Sequence, residues 1–174
     1  MSIENRIAMN RHIAEGYRNA YMKKAVAEGE NYDGWSFAAD AEYVSPYWTN
    51  DEIWIISELP IDALKTATME ALAINIVYDD WIVVDCQIWA AEDGFVMKNK
   101  WTATHKRDRS SWSYYSYTFA RTNAQGQITR WETHVNDQYG PFIAEVIGTA
   151  GPFATQSHYM DPIAAVLDKN GISY

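Results

Sequence analysis

Two of the four histidines, His105 and His134, occur in a stretch where apolar and polar residues alternate. An imidazole can gain or lose a proton near neutral pH, so either ring is a candidate general acid or base. A nearby carboxylate would hold such a ring in one tautomer, and Asp40 or Glu42 is a candidate for this role. These side chains can act together only if the fold brings them to the same face of a sheet.

The pair Asp93-Gly94 predicts a β-hairpin, because it suits a two-residue type I′ turn between strands over 81–90 and 95–106. In that register Ile82 lies opposite His105. One face is then apolar and the other is polar and basic, so both strands indicate the same buried side. We therefore expect His105 to point into the interior, where apolar neighbours favour the uncharged ring. The other pairs expected on this face are Val84 with Ala103, Cys86 with Trp101, Ile88 with Asn99, and Ala90 with Met97.

The next connection extends the inward face to a third strand. A four-residue loop over 107–110 places Trp112 opposite His105. A core histidine whose nitrogens bond to the backbone or to Asn99 would give the same pattern, so both interpretations of His105 stay open. Further residues expected on this face are Tyr114, Ser116 and Thr118.

The loop before the last strand decides which face His134 occupies. A three-residue loop over 124–126, with its glycine in the left-handed conformation, places His134 beside Ser116 and towards the cavity of His105. A four-residue loop at the same place would put His134 beside Tyr115 on the opposite face. A slip of one residue exchanges the two faces of a strand. We expect the three-residue loop.

Aromatic side chains on the inward face would suit a flat, apolar ligand. The candidates for this lining are Tyr43, Trp101, Trp112 and Tyr114, with Asn99 and Glu132 as polar contacts. An aromatic core would look the same in sequence, so ligand binding is one of two open interpretations. The opposite face carries Tyr115, Tyr117, Phe119, Trp131 and Val135, and it is too apolar to be left in water. We expect this outer face to meet a helix or a second subunit, giving a homodimer or a higher homo-oligomer.

The composition limits the possible partners. The chain has 174 residues, a net charge of −9 and 14% aromatic residues, which is typical of one folded domain. A negative surface repels nucleic acid and anionic lipid, so we expect neither as a partner. Cys86 is the only cysteine, which excludes an intramolecular disulfide. The sequence shows no signal-peptide pattern and no apolar run of about 18 residues, so we expect a cytoplasmic protein.

The remaining sequence predicts helices on either side of these strands. A first helix over 3–29 would be capped by Ser2, and a helical turn over 34–38 would lead into a strand over 41–48. Pro46 places that strand at an edge or a bulge. Further helices are expected after Pro60, near 142–146 and over 161–171.

Three stretches carry a recognisable pattern: WSFAADAEYVSP at 35–46, WTATHK at 101–106 and GQITRWETHVND at 126–137. Together with the order of the elements, they resemble the SnoaL-like family of the nuclear transport factor 2-like superfamily. The resemblance implies an α+β fold in which a strongly curved, mixed or antiparallel sheet wraps around N-terminal helices in a cone and encloses a pocket. It covers a domain over 1–148 and leaves 149–174 as a C-terminal extension.

The same resemblance implies a function. It indicates a cofactor-independent lyase or isomerase, of the dehydratase or polyketide cyclase kind, that acts on a small apolar or aromatic molecule. His105 would be the general acid or base, with His134 and Asp40 as the other catalytic residues. Ser45 stands where ketosteroid isomerases of the superfamily have an aspartate, which argues against that particular mechanism. The histidines show no metal-ligand spacing, so we expect no metal and no cofactor.

The alternative is a non-catalytic protein of the same fold. It would be a ligand-binding module or an accessory subunit, such as the β subunit of a ring-hydroxylating dioxygenase. The stretch over 35–46 resembles that group as well. The two functions differ in whether the interior holds a substrate or only its own side chains.

Overall fold

The structure, a computed structural model, describes residues 1–23, 37–44, 46–49, 52–55, 63–150 and 160–174. Its helices are α1 (Ile3–Met22), α2 (Ala63–Val77), α3 (Tyr139–Gly148) and α4 (Met160–Lys169). Its strands are β1 (Phe37–Val44), β2 (Pro46–Thr49), β3 (Glu52–Ile55), β4 (Tyr78–Ala91), β5 (Gly94–His105), β6 (Ser111–Thr122) and β7 (Ile128–Val135). These elements confirm the predicted α+β class.

Five of the strands form one curled sheet that does not close, in the order β1-β7-β6-β5-β4. β1 runs parallel to β7, and the other neighbours are antiparallel. β2 and β3 form a separate antiparallel pair. Helix α1 packs across β4 and β5 and brings Ala14 and Tyr17 into the apolar cluster of the inner face. The sheet is therefore mixed and wraps around the N-terminal helix, as expected.

Helix α1 begins where the sequence predicts. The Ser2 hydroxyl oxygen accepts a hydrogen bond of 3.3 Å from the Asn5 N–H, which confirms the expected N-cap. The helix ends at Met22, and the rest of the predicted helix, beyond residue 23, lies outside the described residues. Its buried residues are Asn10, Ala14, Tyr17 and Ala20.

Helix α4 completes the core beside α2. Its Ile163, Val166 and Leu167 are fully buried, in the same apolar cluster as the inner face of the sheet. Burial of each such side chain contributes roughly 1.5–3 kcal/mol. The helices predicted after Pro60, near 142–146 and over 161–171 are confirmed as α2, α3 and α4.

The first strand differs from its prediction. Phe37, expected in a helical turn over 34–38, begins β1, while residues 34–36 lie outside the described part of the chain. The strand expected over 41–48 is divided between β1, which ends at Val44, and β2, which begins at Pro46. Proline lacks an N–H for the ladder and is tolerated at the first residue of a strand.

The β4–β5 hairpin keeps the predicted faces near its turn, but its register is shifted. Gly94 is the first paired residue of β5, which moves the turn to residues 92–93. A Cβ at Gly94 would lie 1.9 Å from the Ala120 carbonyl oxygen, so the glycine serves the close approach of β6. Each strand moves by one residue relative to the turn, so Cys86 now faces Asn99 and remains on the inward side.

Two bulges in β4 change which of its residues lie inside. The register shifts once near Val84 and once near Asp80. Each bulge adds one residue to β4 and exchanges the faces beyond it, and Val84 is 44% exposed although it was predicted inside. The residue opposite His105 is consequently Tyr78, and the prediction of Ile82 at that place is wrong. His105 itself is on the inner face and 5% exposed, as predicted.

Strand β6 carries the predicted residues inward in a register that is also shifted. Ala103, rather than His105, pairs with Trp112. The His105 N–H donates a hydrogen bond of 2.8 Å to the Ser110 carbonyl, which leaves residues 106–109 as the connection. The shift again moves each strand by one residue, so the inward face is unchanged. The predicted residues Tyr114, Ser116 and Thr118 are buried.

A bulge after the last loop turns His134 to the face of the sheet opposite to the predicted one. The loop is the predicted one, with Gly126 in the left-handed conformation at a φ of 79°. The register between β6 and β7 then shifts between Arg121 and Thr122. One additional residue, Thr129, is accommodated there and exchanges the faces of the rest of β7.

The prediction that His134 shares the cavity of His105 is therefore wrong. His134 pairs with Tyr117 on the outer face, and Glu132 lies opposite Phe119 on the same face. Trp131, expected outside, is 4% exposed and belongs to the core. Val135 likewise packs against the core. The outer aromatic residues are then Tyr115, Tyr117 and Phe119, and association through them stays a prediction.

Candidate functional site

His105 lies at the end of β5, where the inner face of the sheet meets α3. The N–H of Arg107 donates a hydrogen bond of 3.1 Å to Nδ1 of the buried ring. A nitrogen that accepts this bond carries no proton, so the proton of the neutral ring is on Nε2. His105 therefore presents an N–H donor at Nε2.

Two carboxylates approach the ring from different elements. Nε2 lies 3.8 Å from Oε2 of Glu145 on α3, and Nδ1 lies 3.5 Å from Oδ1 of Asp108 in the loop after β5. The first distance is too long for a direct hydrogen bond. The side chains of Glu145 and Asp108 are 43% and 53% exposed, so the buried imidazole adjoins an edge that is open to solvent.

Asp108 is held in place by the start of β6. The Ser110 N–H donates a hydrogen bond of 3.0 Å to its carboxylate. Hydrogen bonds from Ser110, with smaller contributions from His105 and Arg107, lower the pKa of Asp108 below its usual value. Asp108 therefore remains ionised beside His105 at neutral pH.

Tyr78 packs edge-on against the imidazole. The ring centroids of Tyr78 and His105 are 5.3 Å apart, and the Tyr78 hydroxyl donates to the Phe142 carbonyl at 3.3 Å. Burial, followed by the charges of Glu145 and Asp108, raises the pKa of Tyr78 above its usual value. The neutral phenol links β4 to α3 and fixes the orientation of the histidine ring.

Neither of the other predicted catalytic residues reaches His105. His134 is on the outer face of the sheet, and Asp40 is exposed on β1, the edge strand opposite β4. Ala41 is 4% exposed, so strand alternation turns its neighbour Asp40 outward. The carboxylate partner predicted at Asp40 is thus replaced by Glu145.

Only weak signals in the sequence point to the carboxylates that lie near His105. Asp108 follows His105 by three residues, in a loop that was predicted. Glu145 lies on a helix whose existence was predicted near 142–146, but no periodicity indicates which side of that helix meets the end of β5. Its position follows only from tertiary packing.

The predicted aromatic lining is a stacked group in the interior. Trp101 lies between Trp81 and Tyr114, with ring centroids 4.5 Å and 6.2 Å away. The Trp81 Nε1–H donates to the Tyr114 hydroxyl at 2.8 Å, and the Trp101 Nε1–H donates to Ser116 Oγ at 2.8 Å. Burial, more than the charge of Glu70, raises the pKa of Tyr114 well above its usual value. The rings pack together, and both indole N–H groups have hydrogen-bond partners on β6.

The other predicted lining residues have different positions. Trp112 is half-buried, with its ring centroid 6.3 Å from that of Tyr78, the residue that packs edge-on against His105. The side chain of Tyr43 lies outside the described part of the structure. Glu132 is on the outer face, because the bulge in β7 turns it away from the interior.

Asn99 is fully buried beside the stacked rings. Its Nδ2 donates to Ser116 Oγ at 3.4 Å, whereas its Oδ1 has no hydrogen-bond partner among the described residues. An unsatisfied buried acceptor costs about 1–3 kcal/mol. A bound molecule with a hydrogen-bond donor would remove this cost, and the contact of Asn99 with substrate stays a prediction.

His134 belongs to a chain of charged groups on the outer face. Its Nε2 lies 2.6 Å from Oε1 of Glu132, and Arg130 bonds to Glu132 at 3.2 Å and to Glu42 at 2.5 Å. The bond to His134, then the bonds from Arg130, lower the pKa of Glu132. The bond to Glu42, then the bond to Glu132, raises the pKa of Arg130. Glu42 therefore interacts with Arg130 and not with a histidine of the interior.

The described residues contain neither a metal-binding cluster nor a membrane-spanning helix. Among the described residues, no group of three or more His, Cys, Asp or Glu side chains could hold a metal ion. In the same ranges, none of the helices has the length and apolar character needed to cross a membrane.

Comparison with known proteins identifies the fold. Neither a family model nor a curated protein matches this chain. A nuclear transport factor 2-like protein from Burkholderia thailandensis matches with a TM-score of 0.54 and 13% identity, over 84% of this chain and 98% of its own. A proposed isomerase from Bacillus subtilis matches with a TM-score of 0.54 and 11% identity, over 86% and 99%. A phenazine biosynthesis-related protein from Pseudomonas aeruginosa gives 0.50 and 12%, over 89% and 94%. The chain has the nuclear transport factor 2-like fold.

Proposed function

We propose that this chain is a cofactor-independent isomerase or lyase of the SnoaL-like kind, which acts by proton transfer on a small, largely apolar carbonyl compound. The observation that carries the proposal is the orientation of His105. Its Nδ1 accepts the Arg107 N–H, so its Nε2–H faces the side where Glu145 lies 3.8 Å away. A buried donor and a partly exposed carboxylate base then stand side by side where the end of β5 meets α3.

The two groups have separate roles in this mechanism. The Nε2–H of His105 donates a hydrogen bond to the carbonyl oxygen of the substrate, and the Glu145 carboxylate removes a proton from the adjacent carbon. The electron pair of that C–H bond moves to the carbonyl, and the oxygen gains negative charge that the Nε2–H stabilises. Return of this proton from Glu145 to another carbon gives isomerisation, and its transfer from Glu145 to a β-hydroxyl, which then leaves as water, gives dehydration.

The surroundings of the pair favour an apolar substrate. Tyr78, Trp112 and Phe142 contact one another next to His105 and give this region an aromatic wall. In this step His105 acts only as a hydrogen-bond donor and Glu145 only as the base. A positioned acid or base of this kind contributes roughly 10²- to 10⁴-fold in rate.

A second candidate function rests on the stacked group. Trp81, Trp101 and Tyr114 stack in the interior, and the indole N–H groups of both tryptophans donate to side chains of β6. An interior occupied by its own side chains is what an accessory subunit, such as a dioxygenase β subunit, would need. In that case His105 is a structural residue that joins β5 to α3.

The experiment is hydrogen exchange in D₂O, because it needs no knowledge of the product. The protein is incubated with a panel of cyclic and aromatic ketones, and exchange of the protons next to the carbonyl is followed by NMR. We expect catalysed exchange that Glu145→Gln abolishes and His105→Gln reduces by about 10²-fold or more.

The matched control is Glu132→Gln, which makes the same change on the outer face. It should leave the exchange rate unaltered. Exchange that is equally fast in wild type, Glu145→Gln and His105→Gln would exclude the mechanism. A complete absence of exchange across the panel, with folding intact, would favour the accessory subunit.

A further inference from the structure

The outer face of the sheet contains an open groove of about 460 Å³, separated from His105 by the sheet itself. Trp89, Val96 and Phe119 form one row across β4, β5 and β6, since Trp89 pairs with Val96 and Val96 pairs with Phe119. Trp89 is 53% exposed and Phe119 is 45% exposed. We call this site the outer groove. The groove volume of about 460 Å³ lies within the range of about 300–1,000 Å³ that is typical of ligand pockets, so the groove can hold a small ring.

Two arginines border this floor. Arg121 and Arg130 are directly opposite each other on β6 and β7. Like charges in directly opposed positions destabilise a strand pair. Arg130 is neutralised by Glu42 and Glu132, whereas the Arg121 guanidinium forms neither an ion pair nor a hydrogen bond within the described ranges. Arg121 is thus an available cation beside exposed aromatic rings.

The acidic groups that line the groove limit how many negative charges a bound ligand can carry. The Glu132 carboxylate is already shared between Arg130 and His134. Asp93 also lines the groove and would repel a second negative charge. A ligand with one carboxylate fits this balance better than a ligand with two.

We propose that the outer groove binds a small aromatic monocarboxylate. Its ring lies on the row of Trp89, Val96 and Phe119, and its carboxylate takes a forked pair of hydrogen bonds from Arg121. A planar guanidinium matches a carboxylate in this two-point geometry. The bound anion gives Arg121 the partner that Glu42 and Glu132 give to Arg130. The site is independent of the reaction at His105, on the other face of the sheet.

Benzoate is the probe, and ¹H–¹⁵N NMR titration of the full chain is the measurement. Saturable shifts are expected at the amides of Val96 and Phe119, with none at His105. Arg121→Gln should weaken benzoate binding about tenfold or more, the loss expected for a charge-assisted hydrogen bond. Benzyl alcohol, which lacks the charge, and phthalate, which carries two, should both bind more weakly than benzoate.

The control variant is Lys100→Gln, which removes the same charge from the outer face two rows away from Phe119. It should change the affinity for benzoate by less than about twofold, because distant exposed charges are screened. Both variants alter exposed side chains, and thermal unfolding verifies that they fold like the wild type. No saturation, equal affinity in Arg121→Gln, or shifts centred on His105 would overturn the proposal. A concentration-dependent dimer that protects the amides of the outer groove would also overturn it, because a second copy would then be the occupant.

Discussion

Nε2 of His105 and Oε2 of Glu145 lie 3.8 Å apart across the boundary between β5 and α3. The buried imidazole is fixed by a local turn, since the Arg107 N–H occupies its other nitrogen. The carboxylate comes from a distant helix and is partly exposed. A substrate carbonyl oxygen bound at Nε2 would bring its adjacent carbon close to the carboxylate, and this makes the pair the centre of the proposed chemistry.

The two faces of the sheet can be distinguished by a pair of tryptophans. Trp131 is 4% exposed in the core, and Trp89 is 53% exposed on the outer face. Trp131→Ala should lower the free energy of unfolding by about 3–5 kcal/mol, through lost burial and a cavity. Trp89→Ala should lower it by less than about 1 kcal/mol. Urea unfolding measures both, and equal losses would show that the bulge at Thr129 is misplaced.

Two fully buried asparagines differ in whether their side-chain oxygen has a hydrogen-bond partner, and replacing each one should therefore change stability by a different amount. Asn10 donates to the carbonyls of Ala91 and Glu92 at 2.8 Å and 3.1 Å and accepts from Thr122 at 2.6 Å. Asn10→Leu should therefore cost about 2 kcal/mol or more, because it leaves these partners unsatisfied. Asn99→Leu removes the unsatisfied Oδ1 and should change stability by less than about 1 kcal/mol in either direction.

Chemical denaturation of both variants provides the comparison. The difference between them is the quantity of interest, since both replace a buried amide with the same side chain. A loss for Asn99→Leu as large as that for Asn10→Leu would mean that Oδ1 of Asn99 has a strong partner in the native protein. Its role as an open contact for substrate would then be untenable.

Acidification should reveal the charged chain around Glu132. The pKa of Glu132 is lower in the folded protein than its usual value of 4.5. The ionised carboxylate therefore stabilises the fold at pH values above 4.5, and this stabilisation is lost as the pH falls through the pKa of the folded state. Glu132→Gln should therefore destabilise the protein near neutral pH, and its effect should shrink below about pH 4.5. Glu92→Gln, in the exposed turn after β4, is the control. A difference between wild type and Glu132→Gln that grows on acidification would contradict the assigned contacts.

The faces of β5 and β6 could be predicted because the turns at 92–93 and 106–109 displace both strands equally. Displacement by one residue on each side preserves alternation, so His105, Asn99 and Trp101 point inward in spite of the wrong pairs. Alternation of apolar and polar residues over a dozen positions is a strong signal. A small error in the turn does not destroy it.

The bulges are what the sequence could not show. Thr129 and Val84 carry no residue type that marks a bulge, and each exchanges the faces of the part of the strand beyond it. Because of the bulge in β7, His134 was predicted on the wrong face. Because of the bulges in β4, Ile82 rather than Tyr78 was predicted opposite His105. Glu145 was not predicted for a different reason. The packing of α3 brings it to His105, and the sequence pattern of α3 does not indicate which side of the helix faces β5.

The tautomer of His105 is the most direct test of the account. ¹⁵N NMR of the imidazole, in protein labelled at histidine, distinguishes a protonated ring nitrogen from an unprotonated one. Nδ1 should give the resonance of an unprotonated acceptor and Nε2 that of an N–H, with assignment verified by loss of both signals in His105→Gln. A neutral ring with its proton on Nδ1 would contradict the bond from Arg107, and with it the proposed division of roles between His105 and Glu145.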